Sequence, residues 1–213
     1  MPFARARLPF TEYGWAAIEV NVVDVHDLYA RLDTSLFKVI GKPKNLAISD
    51  KICAMQCIGT ANEVIYFTEI QENVPGFELP FARSPVDRVF IMVASVPAID
   101  TATTQYSDMT GAAAVQFKTR ISAMSSVLGR PLDSQYSVAT LQLAEKNLIE
   151  LDQVEGMKSA STEEYPPTGI LSVALRDAPL HRHGKRKISR GPYAGRHLGV
   201  IRGPTGELIE FIS

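Results

Sequence analysis

Three segments of this chain end alike: Asn62-Glu-Val-Ile-Tyr-Phe67, Lys146-Asn-Leu-Ile-Glu-Leu151 and Gly206-Glu-Leu-Ile-Glu-Phe211. Each is a polar pair followed by an apolar run that carries one phenolic or acidic side chain. A strand sends alternate residues to one face, so Tyr66, Glu150 and Glu210 are equivalent and share an orientation. A pattern that recurs three times points to a repeated structural unit, which restricts the fold more than composition does.

Each ending is preceded by a β-branched, alternating opening: Ala16 to Asp24, Arg88 to Ser95 and Gly169 to Asp177. After the first two openings the pattern turns helical. Val25 to Leu32 follows Asp24, a residue type that caps helix N-termini, and Pro97 to Met109 begins with a proline, tolerated in a first helical turn. The first unit has room for two further strands, Leu36 to Ile40 and Ala47 to Ile58. The middle of the second, Ala112 to Thr140, leaves Lys118 to Leu128 open between helix and loop. The third shows no helix; its middle is the basic run His181 to Arg190, then Gly191-Pro-Tyr-Ala-Gly195 and a strand over Arg196 to Arg202. Joints rich in turn residues at Gln71 to Pro85 and Val154 to Thr168 divide the chain into units at 12–74, 86–154 and 168–213. The expected class is α+β: repeated βαβββ units forming curved, mostly antiparallel sheets with a cup-shaped pocket.

At 213 residues the chain is long enough to bury such cores. Its 22 basic and 23 acidic side chains nearly cancel, leaving no overall field to attract nucleic acid or an anionic membrane. No apolar run approaches the roughly 18 residues of a spanning helix, and the first residues lack the apolar core of a signal peptide. The two cysteines, Cys53 and Cys57, stand four apart on one strand face, too far to bridge, and read as buried free thiols. A soluble, cytoplasmic protein is expected.

Over most of residues 14 to 213 these features resemble the vicinal oxygen chelate superfamily, which includes glyoxalase I, bleomycin-resistance proteins and extradiol dioxygenases. The matching residues are the Val22-Val-Asp24 stop, its variants Val93-Ala-Ser95 and Leu175-Arg-Asp177, and the closing Gly203-Pro-Thr-Gly-Glu-Leu-Ile-Glu-Phe211. The resemblance implies paired units forming a cup of sheet, with a divalent metal inside held by opening and closing strands. The family's closing-strand glutamate matches Glu150 and Glu210, whereas Tyr66 departs from it. The opening-strand ligand, seven residues before the stop, falls on Ala17, Arg88 and Ile170, none a usual metal ligand. What remains is either a rearranged site, one divalent metal on Glu210 and Glu150 with a histidine from His181, His183 or His197, or no cofactor.

Glu210 and Glu150 lie among apolar neighbours, where an unpaired carboxylate is costly, so each needs a cation, an arginine or a proton. A buried ion pair with Arg88 or Arg196 is the purely structural alternative. Glu19 interrupts an apolar strand on the face of Ala17 and Asn21; it suits a general base if that face lines the cup, and a wetted strand if it does not. His197 completes the candidate catalytic set of Glu210, Glu150 and Glu19. Tyr66 and Arg88 are candidate substrate contacts, with Phe90, Met92 and Trp15 as apolar walls. The run His181 to Arg190 reads as an anion-binding rim or, more commonly for such runs, a solvated loop, and Gly191 to Arg196 as a lid.

Two functions from different classes remain open. One is an enzyme of lyase, isomerase or dioxygenase type acting on a small oxygenated metabolite, aromatic or carboxylated, with the carboxyls holding a metal or moving protons. The other is a metal-free protein that binds or sequesters a small molecule in an apolar cup. Because cups in this family pair two units, a third unit leaves one in need of a partner, and a homodimer is expected.

Overall fold

The computed structural model describes residues 8–159, 168–176 and 186–213. The first unit runs β1 (Gly14–Val22), α1 (Val25–Arg31), β2 (Lys38–Leu46), β3 (Ser49–Ile58) and β4 (Val64–Ile70). Asp24 caps α1 as expected, its carboxylate accepting from the Asp27 amide at 2.8 Å. The hairpin differs from expectation. β2 continues through Gly41 and Pro43, and the turn falls at Ala47 and Ile48. Pro43 is tolerated because β2 is an edge strand with irregular register, where a missing amide breaks no regular ladder.

The second unit runs β5 (Val86–Val96), α2 (Ile99–Thr110), β6 (Ala114–Arg120), α3 (Ser122–Val127), β7 (Gln135–Gln142) and β8 (Leu148–Gln153). Its open middle thus resolves into an edge strand followed by a short helix. Pro97 stands just outside the helix, before the N-cap Ala98, and Gly111 ends α2 in the left-handed region at φ 74°.

Both units join in one eight-stranded sheet of order β2-β3-β4-β1-β5-β8-β7-β6, with β1 and β5 antiparallel at its centre. In each half the first and last strands are parallel neighbours, β1 with β4 and β5 with β8. β9 (Ser172–Arg176), β10 (Arg186–Lys187), β11 (His197–Arg202) and β12 (Leu208–Ile212) form a separate sheet of order β10-β11-β12-β9, again with its first and last strands parallel.

That shared register supplies a ruler that spacing along the chain lacked. Val64 stands beside Ala17, Leu148 beside Ile91, and Leu208 beside Ser172. The opening-strand positions equivalent to Ala17 are therefore Ile91 and Ser172, not Arg88 and Ile170. Ser95 lies inside β5, whereas the helix cap equivalent to Asp24 is Ala98. Asp177 lies outside the described residues.

The large sheet is curved, and its two faces carry different cores. Its convex side is covered over the first unit by α1, packing Val22, Val25, Met55 and Phe67 together. Over the second unit it is covered by α2 and by the small sheet, whose Val173, Leu175, Ile209 and Phe211 pack with Ile149, Leu151 and Tyr106. The third unit thus buries its apolar face within the same chain. The concave side gathers Ala17, Val64, Tyr66, Phe90, Ile91, Val93 and Leu148. No helix among the described residues is long and apolar enough to cross a membrane.

Candidate functional site in the concave cup

Alternation on β1 and β8 decides which side chains enter the cup. Ala17, Glu19 and Asn21 face it from β1, and Leu148, Glu150 and Asp152 from β8, while Ile149 and Leu151 turn to the convex core. Glu19, Tyr66, Thr68, Thr140 and Glu150 line a cavity of about 140 Å³. Its walls are apolar, from Ile52 on β3, Phe90 and Ile91 on β5, and Phe117 on β6; Ala47, Ile48 and Arg120 are exposed at its edge. The segment read as a joint adds a wall too. Val74, Phe77 and Leu79 pack into the cup, and Phe77 meets Phe117 edge to face at 6.2 Å between ring centroids.

Glu19 is 8 % exposed. Its Oε2 accepts from the Thr68 hydroxyl at 2.8 Å, and no described residue donates to Oε1. Tyr66 stands beside it in register on β4, and its hydroxyl has no hydrogen-bond partner among the described residues. Burial pushes the Glu19 carboxyl up to about 7, although the Thr68 hydrogen bond opposes the rise. Burial, reinforced by nearby Asp152, Glu19 and Glu150, raises the Tyr66 phenol well above its ordinary value and keeps it a neutral donor.

Glu150 and Asp152 form the second half of the site. Burial holds Glu150 well above the usual carboxyl range, and Asp152 and Glu19 raise it further. Burial and the charge of Glu19 push Asp152 up to about 7, against a hydrogen bond from Glu150. Burial and the neighbouring carboxyls thus favour protonated forms of this pair, which stands on one face of β8. Asp152 is 1 % exposed, and its Oδ1 has no partner. None of the three carboxyls forms an ion pair with a lysine, arginine or histidine among the described residues.

Four of the residues singled out in the sequence come together here: Glu19, Tyr66, Phe90 and Glu150. The others lie elsewhere, each for a structural reason. Trp15 is 2 % exposed in the convex core, because a bulge pairs Trp15 with Ala94 but Ala17 with Val93 and so reverses the alternation at Ala16. The Arg88 guanidinium donates to the Glu145 carbonyl away from the cup. Glu210 belongs to the small sheet and accepts from the Ser172 hydroxyl at 2.9 Å, so it shares no site with Glu150. His197 is exposed at the start of β11, and Met92 faces the convex side. His181, His183 and the first half of the basic run, 181–185, lie outside the described residues. Cys53 and Cys57 are buried free thiols.

Thr68 and Asp152 were missed, although the signal was in the chain. Each stands two residues beyond a residue already chosen, Tyr66 or Glu150, and alternation therefore puts it on the same face.

The donor set tests the metal that the resemblance implies. The register places Ala17, Ile91, Tyr66 and Glu150 at the opening and closing positions of the two paired units. Two of these are hydrocarbons and one is a neutral phenol. Among the described residues no three His, Cys, Asp or Glu side chains are grouped to hold a metal ion. The residues do not fit a divalent metal site.

No protein-family model and no curated protein matches the chain. Solved structures do. Glyoxalase I of Zea mays superposes with a TM-score of 0.61 at 13 % identity, over 95 % of this chain and 69 % of that one. Two single-residue variants of the same enzyme give 0.62 and 0.61, also at 13 % identity. This chain has the glyoxalase I fold. The architecture is thus the one the sequence resemblance implied. At this level of identity the likeness stops at the fold, and the chemistry rests on the side chains in the cup.

Proposed function

We propose that the chain is a metal-independent proton-transfer enzyme of isomerase or lyase type, acting on a small oxygenated molecule held in the cup. The observation that supports this most directly is the adjacency of a free acceptor, Glu19 Oε1, and a free donor, the Tyr66 hydroxyl, on neighbouring strands open to one apolar cavity. In this reading Glu19 removes a proton from carbon next to a carbonyl. The C–H electron pair moves into a carbon–carbon double bond, and the displaced carbonyl electrons gather on oxygen, where the Tyr66 hydroxyl donates a hydrogen bond. The protonated Glu19 returns its proton to a neighbouring carbon, or a leaving group departs. A carboxyl near 7 is matched to this work at neutral pH. Ring-opening oxygenation is disfavoured because the donor set does not fit a metal.

The test is hydrogen exchange in D2O at neutral pH, followed by NMR on a panel of small hydroxy ketones and aromatic carbonyl compounds. The wild type should exchange at least one member about 100-fold faster than Glu19→Gln. Equal rates in the two proteins would sink the reading. Compounds that shift cup resonances without exchanging would favour metal-free binding, which the hydrocarbon side chains of Ala17 and Ile91 at the usual ligand positions also support.

A further inference from the structure

Glu19 and Tyr66 account for the reacting end of the cup and leave the Glu150–Asp152 pair without a task. The pair is not built as a structural ion pair, because no basic side chain among the described residues meets it; the one basic residue lining the cavity, Arg120, is exposed at its edge. Nor are its acceptors satisfied from within. Asp152 is almost fully buried, yet its Oδ1 receives no hydrogen bond, and the Thr140 hydroxyl, beside Glu150 in register, likewise has no partner among the described residues. Glu150 and Thr140 line the cavity while Asp152 lies behind its wall, so a group that enters meets Glu150 and Thr140 directly and the open Asp152 oxygen only through its field.

A hydroxyl or amide could supply one donor, but three carboxyls on two strands, with no cation near, call for positive charge as well as donors. The space is that of one ring. Engineered cavities of about 150 Å³ admit benzene, and this cavity holds about 140 Å³ between Phe90, Phe117, Ile52 and Ile91.

We propose that the Glu150–Asp152 pair anchors a protonated amine, so that the molecule taken by the cup is a small organic cation: one ring or a branched alkyl body bearing an ammonium group. The ammonium sits against Glu150 and receives the field of Asp152 behind it, while the apolar body fills the space between the aromatic walls. Its charge favours the ionised forms of the nearby carboxyls, Glu19 included, so the substrate itself keeps the base deprotonated. This rests on the reading of the cup as the reaction site and adds to it the class of molecule that enters.

The experiment uses the full chain and three probes of equal size, benzylamine, benzyl alcohol and benzoate, with dissociation constants read from amide shifts of cup residues in 15N–1H spectra. The wild type should bind benzylamine at least about tenfold more tightly than benzyl alcohol, and benzoate least. Asp152→Asn should shrink the preference to less than about threefold with benzyl alcohol unchanged. Glu150→Gln serves if that variant does not fold, and the wild-type ranking is decisive alone. Benzyl alcohol or benzoate binding as tightly as the amine would overturn the anchor and leave the Glu19–Tyr66 site standing. No shift of cup resonances with any probe would remove both.

Discussion

Glu150 and Glu210 occupy the same place in their units, on the closing strand beside the opening one, yet they live different lives. Glu150 lines a cavity with Glu19, and burial together with Asp152 and Glu19 holds its carboxyl well above the usual range. Glu210 is half-exposed on the small sheet and is satisfied by the neighbouring Ser172 hydroxyl. Register makes them equivalent, and what differs is the company of the sheet. Two units side by side curl around one face and make it an interior. The third sheet lies against the outside of that arrangement, so its Ile209 and Phe211 are buried and the face carrying Glu210 is left outside. Position along a strand fixes which way a side chain points; the packing of sheets decides what it points into.

Four variants sharpen or break this comparison. The largest effect is expected at Phe211, which carries the small sheet into the convex core. Phe211→Ala should cost about 3 to 4 kcal/mol and lower a single cooperative transition in a denaturant melt. Two separate transitions in the wild type would show the sheets to be energetically independent.

Next is pH. In the folded chain Glu19 and Asp152 hold protons up to about 7, whereas unfolded they lose them near 4.5 and 3.8. The folded state therefore binds more protons in that window, and stability falls as pH rises from about 4 to 7. Asp152→Asn should flatten the slope, and Glu210→Gln should leave it unchanged. A slope that responds to Glu210 would break the contrast.

A smaller effect is expected where the sheets are fastened. Glu207, on the turn before β12, accepts from the Tyr106 hydroxyl at 2.6 Å and from the Thr205 amide at 2.9 Å while buried. Tyr106→Phe leaves that carboxylate one donor short and should cost about 1.5 kcal/mol in the same melt. The smallest belongs to Glu210 itself. Glu210→Gln keeps an acceptor for Ser172, and a loss of more than about 0.5 kcal/mol would mean that the outer face does more than meet solvent.

Much of this arrangement was legible in the chain, and the failures have particular causes. Asp24 announced α1, and the three closing strands announced themselves by their repeated polar residue. Glu19, Tyr66 and Glu150 were found because alternation or direct equivalence led to the cup, whereas Phe90 was chosen with Met92 and a register shift at Phe90 sends the two to opposite faces. Trp15 was misplaced because one extra residue at Ala16 reverses the faces, and nothing in Trp-Ala-Ala marks a bulge. Arg88 was misplaced because counting began from Ser95, which resembles a strand stop but lies within β5. Glu210 was misplaced because the sequence shows three like units and is silent on which two share a concavity. Phe77 and Leu79 went unnoticed behind the prolines and glycine of their segment, although alternate apolar residues in such a stretch are themselves a sign of packing.

Trp15, the chain's single tryptophan, stacks edge to face on Tyr106 at 6.0 Å and donates from its indole nitrogen to the Leu208 carbonyl at 2.8 Å. It therefore touches the large sheet, its helix and the small sheet at once, on the side away from the cup. Its fluorescence should act as a built-in gauge of whether the small sheet is seated, reddening and weakening as that sheet lifts away and water reaches the ring. The same signal should stay silent when a small molecule fills the cup, so a screen that relied on tryptophan quenching would discard true ligands.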